Sequence, residues 1–148
     1  FSIFVLDRVS KIYVIYLDEK NFNSEIFLSK FLNIQLIWNE GIAFGLFSAN
    51  EHNLYNLLTF LIISVILIIL YMLIKSEGLK KYALLMIFSG AIGNVFDRIT
   101  YRAVPDFIDF HVENFHWFIF NVADIFITIG VVFMIILELA SKNNQKET

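Results

Sequence analysis

The chain has 148 residues, 58% hydrophobic and 17% charged, with a net charge of −3 and a mean hydropathy of +0.70. A soluble domain would be nearer ~45–50% apolar, and the excess here falls in blocks, which indicates a single-domain integral membrane protein. The lack of cysteine excludes disulfides, thiolate catalysis and Cys-ligated zinc; the small, mixed charge with no basic run excludes nucleic acid as a partner.

Phe1 to Leu17 is apolar apart from Ser2, Asp7, Arg8, Ser10 and Lys11. As a helix it sets Asp7 and Lys11 one turn apart, where they can pair. A full span needs ~20 residues and the first residue is not Met, so further residues are expected upstream. The central charges and the lack of a small-x-small cleavage site argue against a signal peptide. Residues 18–53 read as the first extramembrane loop. Phe31–Trp38 alternates like a strand. It is followed by Asn39-Glu40-Gly41-Ile42-Ala43-Phe44-Gly45, whose two glycines mark either a plain hairpin turn or a close approach of backbone to something else.

Leu54 to Ile74 is the clearest span, with no charge between Glu51 and Lys75. The turn Lys75–Lys81 holds three lysines in seven residues. Tyr82–Phe96 is uncharged for fifteen residues, so a ~20-residue span must take in nearly all of Leu79–Arg98. That helix then carries Asn94, Asp97 and Arg98 at its far end, and Gly90 and Gly93 give it a smooth face for close packing. A second extramembrane loop follows, with Phe107–Val112 as a strand pairing with the first. The last uncharged stretch, Ile125–Leu137, is thirteen residues. Counting back ~20 from Glu138 starts the fourth span near Phe118 and puts Asp124 inside it. The run Phe115, His116, Trp117, Phe118 and Phe120 fits an interfacial aromatic belt. The expected architecture is therefore α-helical with four transmembrane spans, roughly 1–17, 54–74, 79–98 and 119–139, and with outer loops 18–53 and 99–118. The loop lysines place both termini in the cytoplasm.

Ionisable residues inside a membrane are costly and point to function; Asp7, Asp97 and Asp124 qualify. Asp106 lies 18 residues before Asp124 on the same outer side. Each has a plainer reading. Asp7 can pair with Lys11 or Arg8, and Asp97 with Arg98. Asn121-x-x-Asp124 has the form of a capping box. Asp106, after Pro105, can be a turn residue, and Asp109 reads as a solvated strand face. His52, His111 and His116 lack metal-ligand spacing, so no zinc site is expected. If Asp106 and Asp124 meet, the two carboxylates share one proton. One then activates water while the other polarises a carbonyl, without metal or cofactor. A proton-coupled transporter using Asp124 and Asp7 as a relay competes, but Leu57–Leu73 offers only Thr59 and Ser64 for a conduction path. A non-catalytic scaffold would have no need of Asp106, Asn121 and Asp124 together.

Five motifs occur in order: Leu6-Asp7-x-x-Ser10-Lys11, Asn39-x-Gly41-x-Ala43-Phe44-Gly45, Gly93-Asn94-x-x-Asp97-Arg98, Val104-x-Asp106-Phe107 and Phe120-Asn121-x-Ala123-Asp124. Together they resemble the bacterial lipoprotein signal peptidases, the signal peptidase II family, from Leu6 to about Glu138. The resemblance implies a membrane-embedded aspartic endopeptidase of the inner membrane. It would cut diacylglyceryl-modified prolipoproteins on the N-terminal side of the lipidated Cys. It implies four transmembrane helices carrying an extracytoplasmic β-cradle, with the site on the outer side. It implies Asp106 and Asp124 as the catalytic pair, and Asn39 and Asn121 as residues that bind the scissile peptide or its oxyanion. Asp7, Lys11, Asn94, Asp97, Arg98 and Ala123 fall on supporting positions, with Arg98 suited to a lipid head group or the substrate backbone. Gly41 and Gly45 belong to a loop that approaches substrate. Membrane lipid and the prolipoprotein are the implied partners, globomycin-type cyclic peptides the implied inhibitors, and a monomer the implied state. Pro105, Glu40 and Arg8 depart from the usual pattern.

Overall fold

The computed structural model describes residues 1–20, 26–41, 52–113 and 115–144. In chain order these form α1 (Ser2–Lys20), β1 (Ile26–Ser29), β2 (Leu32–Asn39), α2 (His52–Lys75), α3 (Gly78–Tyr101), β3 (Val104–Val112), β4 (Phe115–Phe120) and α4 (Val122–Asn144). Among the described residues, three helices contain stretches long and apolar enough to cross a membrane: Tyr55–Lys75, Gly78–Tyr101 and Val122–Lys142. Helix α1 is 19 residues long, with Asp7, Arg8 and Lys11 in its middle. Leu61, Ile68, Ile74, Val132 and Ile136 are more than half exposed, or close to it, as suits side chains that face hydrocarbon rather than a core.

Helix α3 is the centre of the bundle, with α1, α2 and α4 all packed against it. Small residues make the α3–α4 contact possible. A Cβ at Gly90 would lie 2.6 Å from the Ala123 backbone oxygen, and one at Gly130 would lie 2.8 Å from the Ala83 oxygen. The smooth face expected of Gly90 is therefore a backbone-to-backbone approach. Gly90→Ala forces the two helices apart, because a main-chain oxygen has no rotamer to escape into. We expect a loss of about 1–3 kcal/mol, read as a fall in the midpoint of thermal unfolding in detergent.

The four strands form one antiparallel sheet in the order β1-β2-β3-β4. Strand β3 pairs with β2 from Leu32↔Phe110 to Asn39↔Val104, so the two outer loops do meet as expected. Two strands were not expected, and β4 corrects the position of the last helix. Phe115–Phe120 pairs with β3 (Ile108↔Phe120, Val112↔Phe115), so α4 starts at Val122, not near residue 119. A run of bulky side chains without polar alternation carries no period that separates strand from helix. Pro105 sits in β3 opposite Trp38. It is tolerated there because pairing with β4 stops at Ile108, and the missing N–H breaks no ladder bond. Helix α3 ends where Arg102 turns left-handed (φ 58) and donates its N–H to the Arg98 carbonyl at 3.1 Å. The chain thus turns directly from α3 into the strand that carries Asp106.

Candidate active site

Asn121 and Asp124 form the capping box that their spacing predicts. The Asn121 N–H donates to Asp124 Oδ2 at 3.1 Å, and the Asp124 N–H donates to Asn121 Oδ1 at 3.1 Å. An acid in the first turn also suits the helix dipole. The plainer reading of this pair is correct as geometry, yet it does not exhaust what the residues do. With its oxygen held by the cap, Asn121 must turn its NH₂ the other way, and Nδ2 donates to Asp106 Oδ1 at 2.6 Å. One side chain therefore touches both aspartates.

Asn39 treats Asp106 from the other side by the same device. Its Oδ1 accepts the Gly41 N–H at 3.1 Å, so its Nδ2 is left to donate to Asp106 Oδ2 at 2.8 Å. The amides expected to meet substrate thus each spend one N–H on Asp106. Asp106 is 4% exposed. Burial raises its carboxyl from 3.8 to about 6, against the lowering effect of the two amides, and the nearby Asp124 carboxylate raises it further. A carboxyl raised in the folded state contributes its stability below about pH 4, and that contribution is lost as the pH rises through about 6. The loss amounts to about 3 kcal/mol. The unfolding midpoint of the parent should therefore fall more steeply between about pH 4 and 7 than that of Asp106→Asn, which has no proton to lose.

Asp124 Oδ1 accepts from Asn94 Nδ2 at 2.8 Å, and Lys11 Nζ holds the Asn94 oxygen at 2.9 Å. Lys11, 1% exposed, also meets Asp97 at 2.7 Å and Asp7 at 3.1 Å. The expected Asp7–Lys11 pair is present. Asp97 does not pair with its neighbour Arg98 as expected. It turns to α1, where Arg8 grips both of its oxygens and Lys11 takes a share. Adjacent helical residues point about 100° apart, so Asp97 faces α1 while Arg98 points toward Gly41. Arg98 reaches the Asn94 and Gly41 carbonyls only at 3.4 and 3.5 Å.

Asp7 is fully buried and accepts the Ala123 N–H at 3.0 Å, which makes it a second cap for α4 supplied by another helix. Gly93 leaves the room: a Cβ there would stand 2.7 Å from Asp7 Oδ2. Arg8, one of the two partners that the sequence offers Asp7, does more than that pairing. It binds Asp7 at 2.6 Å as well as Asp97, and its guanidinium lies 5.8 Å from the Phe4 ring centroid and 5.1 Å from that of Phe96. The bond to Asp97 has no signal in the sequence, because the two residues lie 89 positions apart. The Ala43-Phe44-Gly45 end of the glycine motif lies outside the described residues. Asp109, expected on a solvated face, is instead fully buried.

Residues 1–140 match the family model described as "Signal peptidase (SPase) II". The chain is 49% identical over 143 residues to the lipoprotein signal peptidase of Pelagibacter ubique, covering 97% of this chain and 86% of that one. It is 37% identical over 144 residues to that of Anaplasma phagocytophilum, covering 95% and 89%. Among solved structures, a bacterial membrane enzyme obtained by the in meso method at 2.3 Å resolution superposes with a TM-score of 0.77. The two are 29% identical, over 99% of this chain and 88% of the other.

Proposed function

The chain belongs to the signal peptidase II family, which cleaves signal peptides from prolipoproteins, and we propose that it does so with Asp106 and Asp124 as its catalytic pair. The observation that carries this assignment is the bridge through Asn121, which bonds to Asp106 at 2.6 Å and caps Asp124 at 3.1 Å. It fixes two carboxyl groups from different elements at the head of one helix. The pair holds one proton between its members. The ionised carboxylate takes a proton from water as the water oxygen attacks the scissile carbonyl, and the protonated one donates to the carbonyl oxygen. Collapse of the tetrahedral intermediate breaks the C–N bond, and the amine of the lipid-bearing Cys leaves with a proton from the pair. The second N–H of Asn39 or Asn121 is suited to the oxyanion. Arg98 is suited to a lipid head group or the substrate backbone.

We also assign α1 as a fourth span. Its charges are neutralised by partners: Asp7 and Lys11 are almost wholly buried against α3 and α4, so little of their charge would face lipid. With four spans, the sheet and the aspartates share the outer side of the inner membrane. The lysines of the α2–α3 turn and both termini then lie in the cytoplasm. The Lys80–Glu138 pair, 2.9 Å, ties α3 to α4 at that inner end. The whole chain, 1–148, is one monomeric peptidase domain, inhibited by globomycin-type cyclic peptides.

The test is cleavage of a prolipoprotein by the purified protein in detergent. We expect the diacylglyceryl-modified substrate to be cut before its lipidated Cys, a chelator to leave the reaction in place, and globomycin to stop it. Equal cleavage of the unmodified precursor would overturn the lipid requirement.

A further inference from the structure

Strand β3 continues past Asp106 to Asp109 and His111, and β4 brings His116 beside them; His111 and His116 are cross-strand partners. Their imidazoles stack at 5.1 Å and 25°. His116 Nδ1 lies 2.8 Å from Asp109 Oδ2, and His111 Nδ1 lies 3.7 Å from the same oxygen. One ligand atom from each of the three residues fits within 4.8 Å of the others.

Two features separate this cluster from an ordinary His–Asp contact. Asp109 is 0% exposed and His111 8%, yet Asp109 Oδ1 and His111 Nδ1 have no hydrogen-bond partner among the described residues. Unmet buried polar atoms are costly, and here both sit in one cluster of metal-ligating side chains. Tetrahedral zinc holds its ligands ~2.0–2.1 Å from the ion, hence about 3.3 Å from one another. The 2.8 and 3.7 Å separations from Asp109 Oδ2 bracket that spacing. His116 is 55% exposed at its side chain and provides the way in, leaving a fourth position for water.

We propose that Asp109, His111 and His116 form a divalent-metal site for Zn²⁺, separate from the aspartate pair. Two imidazoles and a carboxylate are a ligand set that zinc accepts, and nothing here requires the peptidase assignment. Its consequence is mechanical. The β3–β4 hairpin joins Asp106 directly to Asn121 and Asp124, and a metal bound to both strands clasps that hairpin shut. The sequence conceals the site because its two histidines meet by cross-strand register, not by helical spacing.

The experiment uses the full chain, free of any affinity tag, purified in detergent, stripped with chelator and titrated with Zn²⁺ and separately with Co²⁺. The expected result is one equivalent of metal, a rise in unfolding temperature on adding Zn²⁺, and the visible absorption of tetrahedral Co²⁺. His116→Ala, at an exposed position, keeps the fold and should weaken binding at least about tenfold, as should His111→Asn. The protein should still cleave substrate when stripped, below its lowered unfolding temperature. No stoichiometric uptake by the parent would overturn the site. So would undiminished uptake by His116→Ala, which would place the metal elsewhere.

Discussion

Asp106→Asn and Asp124→Asn should each lower the rate of prolipoprotein cleavage by about 10²–10⁴-fold, and the double variant should be hardly slower than either alone. The non-additivity is the informative part. A shared proton makes the pair one catalytic unit, so removing either member removes both functions. Two independent contributors would instead multiply.

The asparagine substitutions carry a structural cost that must be measured beside the rate. Asp106 accepts from the Asn39 and Asn121 amides, and both donors are locked in orientation by their own caps. An NH₂ at residue 106 therefore opposes an NH₂ on one side, at a cost of about 1–3 kcal/mol. At Asp124 the same conflict arises with Asn94 or with the Asn121 N–H. A variant that stays folded, by unfolding temperature, and still cleaves at the parental rate would remove its residue from the pair. One that is folded and inactive would keep it there.

What the sequence made legible was what is local. Helices α2 and α3 follow from uninterrupted apolarity, β2 and β3 from alternation, and the Asn121–Asp124 cap from a three-residue spacing. What it hid was what depends on register and on partners across the chain. Phe115–Phe120 resembles a belt at the mouth of a helix, because its strand character exists only against β3. Sequence proximity offers Asp97 its neighbour Arg98, whereas its partners lie 86 and 89 positions away on α1. The burial of Asp109 is hidden, because alternation says which residues share a face and not which face is covered. The double duty of Asn121 was half visible: the cap is a pattern, but the bond to Asp106 requires β3 to arrive alongside.

The second large effect concerns Asp97, which is not placed in the catalytic pair. Asp7, Arg8, Lys11 and Asp97 form a buried group of two acids and two bases. Asp97→Ala leaves two cations facing one anion with no water to absorb the excess. Breaking a buried pair in this way costs about 3–5 kcal/mol, and we expect a drop of roughly 10 °C in the unfolding midpoint. Cleavage should fall as well, through position. Lys11 holds Asn94, and Asn94 holds Asp124, so a lysine freed from Asp97 no longer fixes that carboxylate. Pairing Asp97→Ala with Lys11→Met restores neutrality. It should therefore recover part of the stability but not of the rate, because the methionine cannot hold Asn94. An unfolding midpoint equal to the parent's in Asp97→Ala would show that α1 is anchored by its apolar contacts with α3 and not by this cluster.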